Sequence, residues 1–216
     1  MRQLVVNFHG IGEPPQEIPD DERPYWCPRD EWLSLADALA DLHAERPLRI
    51  TFDDGNASDV EEALPALLER GLTATFFVCA GRIGLPHYLD DEALHHLRSH
   101  GMRIGSHGWD HIDLRTLDAA QLRHETEGSR ERLAEHGVDE FALPFGSYDR
   151  RVLRSLEPYR HVHTSDGGAT RDGWLVPRTS YVRGWTADGL TRLVTEQPPA
   201  WKVAMRQGKT LLKSLR

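Results

Sequence analysis

Two adjacent carboxylates, Asp53 and Asp54, end a short β-prone run in the stretch LRITFDDGNAS and precede a glycine. Asp-Gly is a common turn dipeptide, so a turn alone would account for one of the two aspartates. It does not account for the other, because side chains on successive strand residues point to opposite sides of the strand. If both carboxylates are used, we expect them to have different chemical roles.

Two histidines four residues apart, His107 and His111 in the stretch GSHGWDH, form the second candidate group. On one face of a helical turn this spacing can place two imidazoles on one metal ion. His96 and His100 have the same spacing, but they fall in a predicted crossover helix that needs a solvated face. We therefore interpret His96 and His100 as surface residues and His107 and His111 as candidate metal ligands.

The elements that must position these residues alternate between short apolar strands and helices. Strands are predicted at residues 4–8, 48–52, 73–78, 102–105, 140–143, 160–164 and 174–182. Helices are predicted at residues 32–43, 90–100 and 118–136, and a further one opens with a capping box at residues 58–61 and restarts at Pro65. The alternation predicts an α/β fold with a parallel sheet that is closed, or nearly closed, as a barrel.

The residues that could do chemistry directly follow predicted strands: His9, Asp53, Asp54, His107 and the run Pro144-Phe145-Gly146. Active sites of parallel barrels are built at the carboxyl ends of the strands. The proline-rich segment 10–30 has no periodicity and is expected to be a functional loop above the first strand. His161 and His163 alternate along a strand and are interpreted as packing or pocket-wall residues.

Length and charge limit the classes of function. The chain has 216 residues, which fits one barrel domain, and its net charge of −8 argues against nucleic acid as the main partner. Cys27 and Cys79 lie in no C-x-x-C pair and are predicted to be free thiols. The apolar run at the N-terminus is too short for a signal peptide, so we expect a cytoplasmic protein.

The motif T-F-D-D-G, followed about fifty residues later by H-x-x-x-H and then by Pro-Phe-Gly after an apolar strand, resembles the polysaccharide deacetylase family. This family is also called NodB-homology or carbohydrate esterase family four. The resemblance covers residues 48–182 and implies an irregular (β/α)7 barrel. It also implies removal of N- or O-acyl groups from sugars with one divalent metal ion, for which we expect zinc, with cobalt, nickel or iron as alternatives.

Carried over residue by residue, the resemblance implies that Asp54, His107 and His111 hold the metal and that Asp53 is the general base. One aspartate would hold the ion and its neighbour would take a proton from water. Three protein ligands leave positions open for water and for the substrate carbonyl. By analogy with the family, a backbone N–H near Phe145 would stabilise the tetrahedral oxyanion.

The sequence departs from the family pattern at two places. Where the family usually carries an arginine that orients the base, this chain has Ala142, so we predict that Arg178 in the stretch VPRTS orients Asp53 instead. The usual C-terminal Leu-x-His, which supplies the general acid, is absent, since no histidine follows His163.

We place the general acid at His9, which ends the apolar stretch LVVNFH. This position resembles the circularly permuted arrangement of the poly-N-acetylglucosamine deacetylases. The first and last strands of a closed barrel are neighbours, so either can supply the acid. The alternative is a strand-end histidine that is only covered by the proline-rich loop.

The expected function is hydrolysis of an N-acetyl or other N-acyl group on a sugar, in exopolysaccharide or cell-envelope glycan synthesis. Two alternatives stay open: an allantoinase-like amidohydrolase that acts on a small cyclic or linear amide, and a catalytically inactive barrel that binds glycans. The intact Asp-Asp-His-His set favours the enzyme, because a binding module has no use for a spare carboxylate beside a ligand. Structural zinc sites, moreover, normally close all four positions.

The C-terminal segment 198–216 differs in charge from the catalytic domain predicted at residues 1–197. It holds five basic residues and no acidic one, and Trp201, Met205, Leu212 and Leu215 recur at helical spacing. One interpretation is a membrane-surface helix that gives the protein a peripheral membrane contact. The other is an ordinary helix that docks one face on the barrel, and Gly208 favours this second interpretation.

Overall fold

The computed structural model describes residues 3–170, 173–196 and 198–215, and within these ranges nine strands form one sheet. The strands are β1 (Gln3–Phe8), β2 (Leu48–Phe52), β3 (Ala74–Val78), β4 (Arg103–Ser106), β5 (Glu140–Ala142), β6 (His161–Thr164), β7 (Ala169–Thr170), β8 (Leu175–Pro177) and β9 (Thr179–Ser180). Their order is β7-β1-β2-β3-β4-β5-β6-β8, and β9 also pairs with β1.

Every strand pair in this sheet is parallel except β1 with β7. The chain closes the sheet between β8 and β9, because β8 pairs with β6 and β9, two residues later, pairs with β1. The prediction of a single strand at residues 174–182 is therefore wrong, because the segment changes its pairing from β6 to β1 at Arg178. The result is a nearly closed barrel, which confirms the irregular (β/α)7 architecture.

Helices cover the outside of the barrel. They are α1 (Arg29–Glu45), α2 (Leu64–Glu69), α3 (Asp91–Ser99), α4 (Ala119–Arg123), α5 (Ser129–Arg132), α6 (Arg150–Ser155), α7 (Ala187–Thr195) and α8 (Ala200–Leu215). The helix predicted at residues 118–136 is divided into α4, a π-helical turn, α5 and a 3₁₀ turn, Ala134–His136. It ends at Gly137, whose φ of 67° only glycine adopts at no cost.

The capping box predicted at residues 58–61 is wrong. The Ser58 hydroxyl instead accepts a hydrogen bond from the Ile11 backbone N–H at 3.0 Å and so ties the loop above β1 to the segment after β2. Asp59–Ala63 forms a π-helical turn that becomes α2, with Pro65 in the first turn. Proline fits there because the change from π-helical to α-helical hydrogen bonding already interrupts the i→i−4 pattern at this point.

Alternation along the strands separates an apolar layer from a polar barrel interior. Phe8, Phe52 and Phe76 are register partners, and Phe52 stacks on Phe76 with ring centroids 4.9 Å apart. Trp32 of α1 packs edge-on against Phe8 and Phe52 of this row, so the phenylalanine side chains face the helices. The neighbouring residue in the register, Thr51, is buried on the opposite face, where the interior can hold polar groups.

The C-terminal helix α8 packs against α6. The Lys213 ammonium group donates to the Asp166 carboxylate at 2.6 Å and to the Gly146 carbonyl oxygen at 3.2 Å, so α8 is tied to two loops at one end of the barrel. No helix in the described ranges is both long and apolar enough to cross a bilayer. Cys27 and Cys79 are buried free thiols, as predicted. The division into a domain 1–197 and a tail 198–216 stays a prediction.

Candidate active site

A pocket of about 420 Å³ opens at the carboxyl ends of the strands. All of the site residues predicted from the sequence line it: His9, Asp53, Asp54, His107, His111, Phe145 and Arg178. The proline-rich segment contributes further wall residues, Glu22, Tyr25 and Trp26. The pocket thus brings together residues from the beginning, middle and end of the chain.

Asp54, His107 and His111 place one ligand atom each within 4.8 Å of one another. Asp54 Oδ1 lies 3.4 Å from His111 Nε2 and 3.7 Å from His107 Nε2. A tetrahedral ion with bonds of about 2.0–2.2 Å holds its ligand atoms roughly 3.3–3.6 Å apart. Asp54 Oδ1 is also buried without a hydrogen-bond partner. The three residues therefore fit a divalent metal ion.

The backbone around Asp54 is unusual. Asp54 and Gly55 both have positive φ, 79° and 71°, so the chain turns sharply as soon as β2 ends. A Cβ at Gly55 would lie 2.9 Å from the Val78 side chain, which leaves no room for another residue. His111 also has positive φ, 55°. Such conformations cost free energy in residues other than glycine and persist where the surrounding structure enforces them, often at functional sites.

The backbone carbonyl group of Ala142 orients His107. Ala142 occupies the position where the family pattern has an arginine. His107 Nδ1 lies 2.8 Å from the Ala142 carbonyl oxygen. Because a carbonyl only accepts hydrogen bonds, Nδ1 must carry the proton, and the lone pair of Nε2 is left for a metal. Burial lowers the pKa of His107 to about 4, although Asp53 opposes this shift. The imidazole is therefore neutral at pH 7, as a metal ligand must be.

The loop between the two histidines is held by Glu125, a residue that the sequence analysis did not identify. Its carboxylate accepts hydrogen bonds from the backbone N–H groups of Trp109, at 2.6 Å, and Asp110, at 3.2 Å. Gly108 lets this carboxylate approach, since a Cβ there would lie 2.7 Å from Glu125 Oε2. No sequence motif marks Glu125, because its role depends on the packing of a helix against the loop.

Asp53 has different surroundings from Asp54. Arg178 donates two hydrogen bonds to its carboxylate, at 2.6 and 2.8 Å, and the Asn7 amide donates a third at 3.0 Å. Burial of Asp53 favours its neutral form, but the pKa of Asp53 is lowered well below its usual range, and the charge and hydrogen bonds of Arg178 are the main contribution that opposes burial. Asp53 is therefore ionised and held in orientation by contacts with Arg178 and Asn7, and the role of Arg178 as the residue that orients a base stays a prediction.

Asn7 is a second site residue outside the predicted set, although the sequence carries a signal for it. Its Oδ1 accepts hydrogen bonds from Arg178 at 2.8 Å and from the Thr51 hydroxyl at 2.7 Å, so it connects both neighbours of Asp53. Asn7 is a buried polar residue that follows the apolar run Leu4-Val5-Val6 in β1, two positions before His9. Residues two apart in a strand share a face, so the pair marks the face of β1 that contributes to the site.

His9 and Phe145 lie at the edges of the site. His9 Nε2 is 4.0 Å from Asp53 Oδ2, and its ring centroid is 5.2 Å from that of Tyr25 in the proline-rich loop. Phe145 has positive φ, 56°, and packs its ring 4.5 Å from that of His111 at the mouth of the pocket. The position of His9 beside Asp53 is compatible with a general acid, and its contact with Tyr25 equally fits a histidine covered by the loop, so the roles of His9 and Phe145 stay predictions.

The remaining histidine pairs lie outside the site. His96 on α3 and His100, which directly follows α3, are exposed, as predicted, with ring centroids 4.4 Å apart. His163 is buried and its Nε2 lies 2.8 Å from Glu140 Oε2. His161 Nδ1 lies 3.2 Å from the carbonyl oxygen of Gly173, to which it donates. None of these four residues lines the pocket.

The sequence profile described as "Polysaccharide deacetylase" matches residues 42–161, more than half of the chain. The chain belongs to the polysaccharide deacetylase family. A relative from Bacillus subtilis, named "Putative polysaccharide deacetylase YxkH", is 31% identical over 135 residues, which are 60% of this chain and 48% of that protein. A "Chitin deacetylase" from Pestalotiopsis sp is 41% identical over 73 residues, 34% of this chain and 24% of that protein.

The matched part of this chain spans about half of the length of the first curated relative and about a quarter of the second. Among solved structures, IcaB from Ammonifex degensii superposes with a TM-score of 0.74 and 21% sequence identity. The similarity covers 90% of this chain and 97% of that one. It therefore concerns the whole barrel and supports the fold.

Proposed function

We propose that this protein is a metal-dependent hydrolase that removes an N-acetyl or other N-acyl group from a sugar. The observation that carries the proposal is the different environment of two adjacent carboxylates. Asp54 turns an unpartnered oxygen towards two imidazoles, whereas Asp53 is paired with Arg178. A hydrolase needs both a ligand and a base, and neither a structural metal site nor a binding module needs the second carboxylate.

Asp54, His107 and His111 are proposed to hold one divalent ion. Zinc fits best, because two imidazoles and one carboxylate are a common ligand set of zinc hydrolases, and cobalt, nickel or iron are alternatives. The bound ion would act as a Lewis acid on water and on the acyl oxygen.

Asp53 is proposed as the general base. Its contacts with Arg178 and Asn7 keep it ionised and aimed at the pocket, so that it can take a proton from the water that attacks the acyl carbon. Arg178 acts through Asp53 and is a positioning residue. A backbone N–H near Phe145 is proposed to stabilise the developing oxyanion.

His9 is proposed as the general acid. The bond between the acyl carbon and nitrogen breaks readily only when the nitrogen receives a proton, because an amine leaves poorly as an anion. His9 Nε2 is 4.0 Å from Asp53 Oδ2, so the two proton-transfer groups border the same small space. Because β1 pairs with β9, an acid on the first strand lies beside the last strands of the barrel.

The proposed substrate is an N-acetylated sugar or oligosaccharide from exopolysaccharide or cell-envelope glycan synthesis. Aromatic and apolar side chains, among them Tyr25, Trp26 and Val182, line the pocket beside the converging polar groups, which is typical of sites for organic ligands. The names of the relatives, polysaccharide deacetylase and chitin deacetylase, support a glycan substrate.

Acetate release tests this proposal. The full chain loaded with zinc is incubated with N-acetylated oligosaccharides and, separately, with small cyclic and linear amides, and the Asp53→Asn variant is assayed in parallel. We expect acetate from the oligosaccharides and a large loss of rate in Asp53→Asn. Turnover of small amides alone would support the allantoinase-like alternative. Glycan binding without turnover, unchanged in Asp53→Asn, would support the inactive barrel.

A peripheral membrane contact through α8 is the second part of the proposal. Four apolar side chains that recur at helical spacing along α8 are 50–65% exposed: Trp201, Met205, Leu212 and Leu215. Lys202 and Arg206 lie on the same helix, and no acidic residue does. An exposed apolar stripe next to basic side chains is typical of helices that lie on anionic membrane surfaces.

Flotation of the full chain with vesicles tests this contact. We expect co-flotation with vesicles rich in phosphatidylglycerol, and less with pure phosphatidylcholine, because the basic residues attract anionic headgroups. The double variant Trp201→Ser/Leu212→Ser should lose binding, whereas Leu85→Ser, which alters an apolar side chain 51% exposed elsewhere, should retain it. Equal flotation of all three proteins would exclude α8 as the contact.

A further inference from the structure

A second group of metal-ligating side chains lies outside the pocket, where α3 meets the 3₁₀ turn before β5. His95 of α3 and the adjacent residues Glu135 and His136 place one ligand atom each within 4.8 Å of one another. Glu135 Oε1 is 3.6 Å from His136 Nε2, and Glu135 Oε2 is 3.8 Å from His95 Nε2. These separations are close to those of the Asp54 group, 3.4 and 3.7 Å.

His136 is the unusual member of this group. Its side chain is fully buried, yet neither ring nitrogen has a hydrogen-bond partner. A neutral imidazole needs a donor partner at one nitrogen and an acceptor partner at the other, and buried polar groups are rarely left without them. The orphaned nitrogens therefore indicate a missing partner, and His95 and Glu135 each place a ligand atom within 4.8 Å of one on His136.

We propose that His95, Glu135 and His136 form a second divalent-metal site that joins α3 to the turn before β5. Two imidazoles and one carboxylate are a usual ligand set for zinc, with cobalt and nickel as close alternatives, and water would complete the coordination. The ligands of this site come from two elements that already contact each other, so the ion would cross-link the outer layer of the barrel.

The charged side chains around this group balance one another, so they do not by themselves favour a cation. Burial lowers the pKa of His136, so its imidazole is neutral and available as a ligand. Asp91 and Glu135 are the acidic groups that face it, and Arg98 and His95 are the basic ones. Asp91 is already paired with Arg132 at 2.7 Å. Glu135 is therefore the acidic side chain left to balance an ion.

Counting bound metal tests the proposal without any assay of activity. The full chain is stripped with a chelator, titrated with zinc and exchanged into metal-free buffer, and zinc is counted by mass spectrometry. We expect two equivalents in the wild type and one in His95→Ala and in Glu135→Gln. Both substituted side chains are more than half exposed, so these variants should fold. His96→Ala, the matched control on the next residue of α3, should keep two.

The Asp54→Ala variant separates this site from the pocket. We expect it to keep one equivalent of zinc and to gain about 5–10 °C in melting temperature at a free zinc concentration 100 times the dissociation constant. Adding His95→Ala should remove both the zinc and the gain. If Asp54→Ala binds no zinc, or if His95→Ala and Glu135→Gln bind as much as the wild type, the second site does not exist. The pocket proposal is unaffected by either result.

Discussion

The Arg178 guanidinium donates two hydrogen bonds to the Asp53 carboxylate, at 2.6 and 2.8 Å, across a separation of 125 residues in the chain. Both side chains are buried, and the pair lies at the point where the chain passes from β8 to β9 and closes the barrel. The residue at which the barrel closes is therefore also the residue that keeps the proposed base ionised.

Arg178→Ala should move the acidic limb of the pH–rate profile to higher pH. Without the cation, burial dominates and raises the pKa of Asp53, by about 1–3 units for the loss of one adjacent charge. Arg178→Lys keeps the charge and should show a smaller shift. Circular dichroism checks that both proteins are folded. An acidic limb that stays in place in Arg178→Ala would show that another group orients and ionises the base.

Alanine at Asp54, His107 or His111 should remove one equivalent of metal and nearly all activity. Each side chain supplies one of only three ligand atoms in the pocket, so its loss leaves an incomplete site. Metal content after dialysis and the rate of acetate release measure the two effects. His100→Ala, which alters an exposed residue directly after α3, should change neither, and a loss of the pocket metal in that variant would contradict the assignment.

Asp53→Asn should keep the pocket metal and lose about 10²–10⁴-fold in rate, which is the usual contribution of a positioned proton-transfer group. The amide preserves the size of the side chain but cannot accept a proton. Metal analysis and kinetics on the same preparation distinguish this outcome from a folding defect. If the variant lost its metal, the two carboxylates would be acting together as ligands.

His9→Ala should slow hydrolysis of an amide substrate by about 10²–10⁴-fold and affect an activated aryl acetate much less. The aryl oxide leaves without a proton, whereas the amine needs one. Metal content should be unchanged, since His9 is not among the three ligands in the pocket. Equal slowing with both substrates, or no slowing with either, would assign His9 to the cover formed by the proline-rich loop.

Glu140→Gln should destabilise the fold in a pH-dependent way. Its carboxylate, 1% exposed, contacts four basic side chains at 2.7–3.0 Å: Arg49, Arg103, Arg160 and His163. Burial opposes ionisation of Glu140, but the hydrogen bond from His163 and the charge of Arg49 outweigh it and lower its pKa well below the usual range. The contribution of Glu140 to stability is therefore present above the pKa of the unfolded chain, about 4.3, and lost as the pH falls below it.

We expect Glu140→Gln to lower the free energy of unfolding by about 3–5 kcal/mol at pH 7, the usual cost of removing one partner from a buried ion pair. The difference from the wild type should shrink below about pH 4, where Glu140 in the unfolded chain is protonated. Urea denaturation at several pH values measures both. The exposed Glu131→Gln is the control, and a destabilisation that did not change with pH would indicate lost packing.

Much of the site could be predicted from the sequence because its residues directly follow strands. An apolar run fixes where a strand ends, and the carboxyl ends of parallel strands meet at one face of the barrel. This is why Asp54 and His107 could be placed together although 53 positions separate them. Arg178 was harder to place, because its position depends on a change of strand pairing from β6 to β1. The periodicity of apolar residues in the sequence does not reveal such a change.

The parts that could not be predicted depend on packing between elements distant in sequence. Glu125 holds the loop after β4 from a helix 15 or 16 residues away, and Glu135 and His136 meet His95 only because the turn before β5 packs on α3. The H-x-x-x-H spacing drew attention to His96 and His100, whereas the neighbouring His95, with no motif, contacts the turn. The spacing of residues along the sequence indicates which of them share a face of one helix. It does not indicate which other elements pack against that helix.

The change of partner at Arg178 also determines when the protein can fold. During synthesis, β1 leaves the ribosome well before the segment that joins β6 back to it, because 170 positions separate Phe8 from Arg178. Until that segment arrives, the sheet has an open edge and the Asp53 carboxylate lacks its cation. Pairing over such a long stretch of chain is slow to form, and an open parallel edge is prone to aggregate. A chain that stops short of Arg178 should therefore depend on chaperones, even though it contains all three ligands of the pocket.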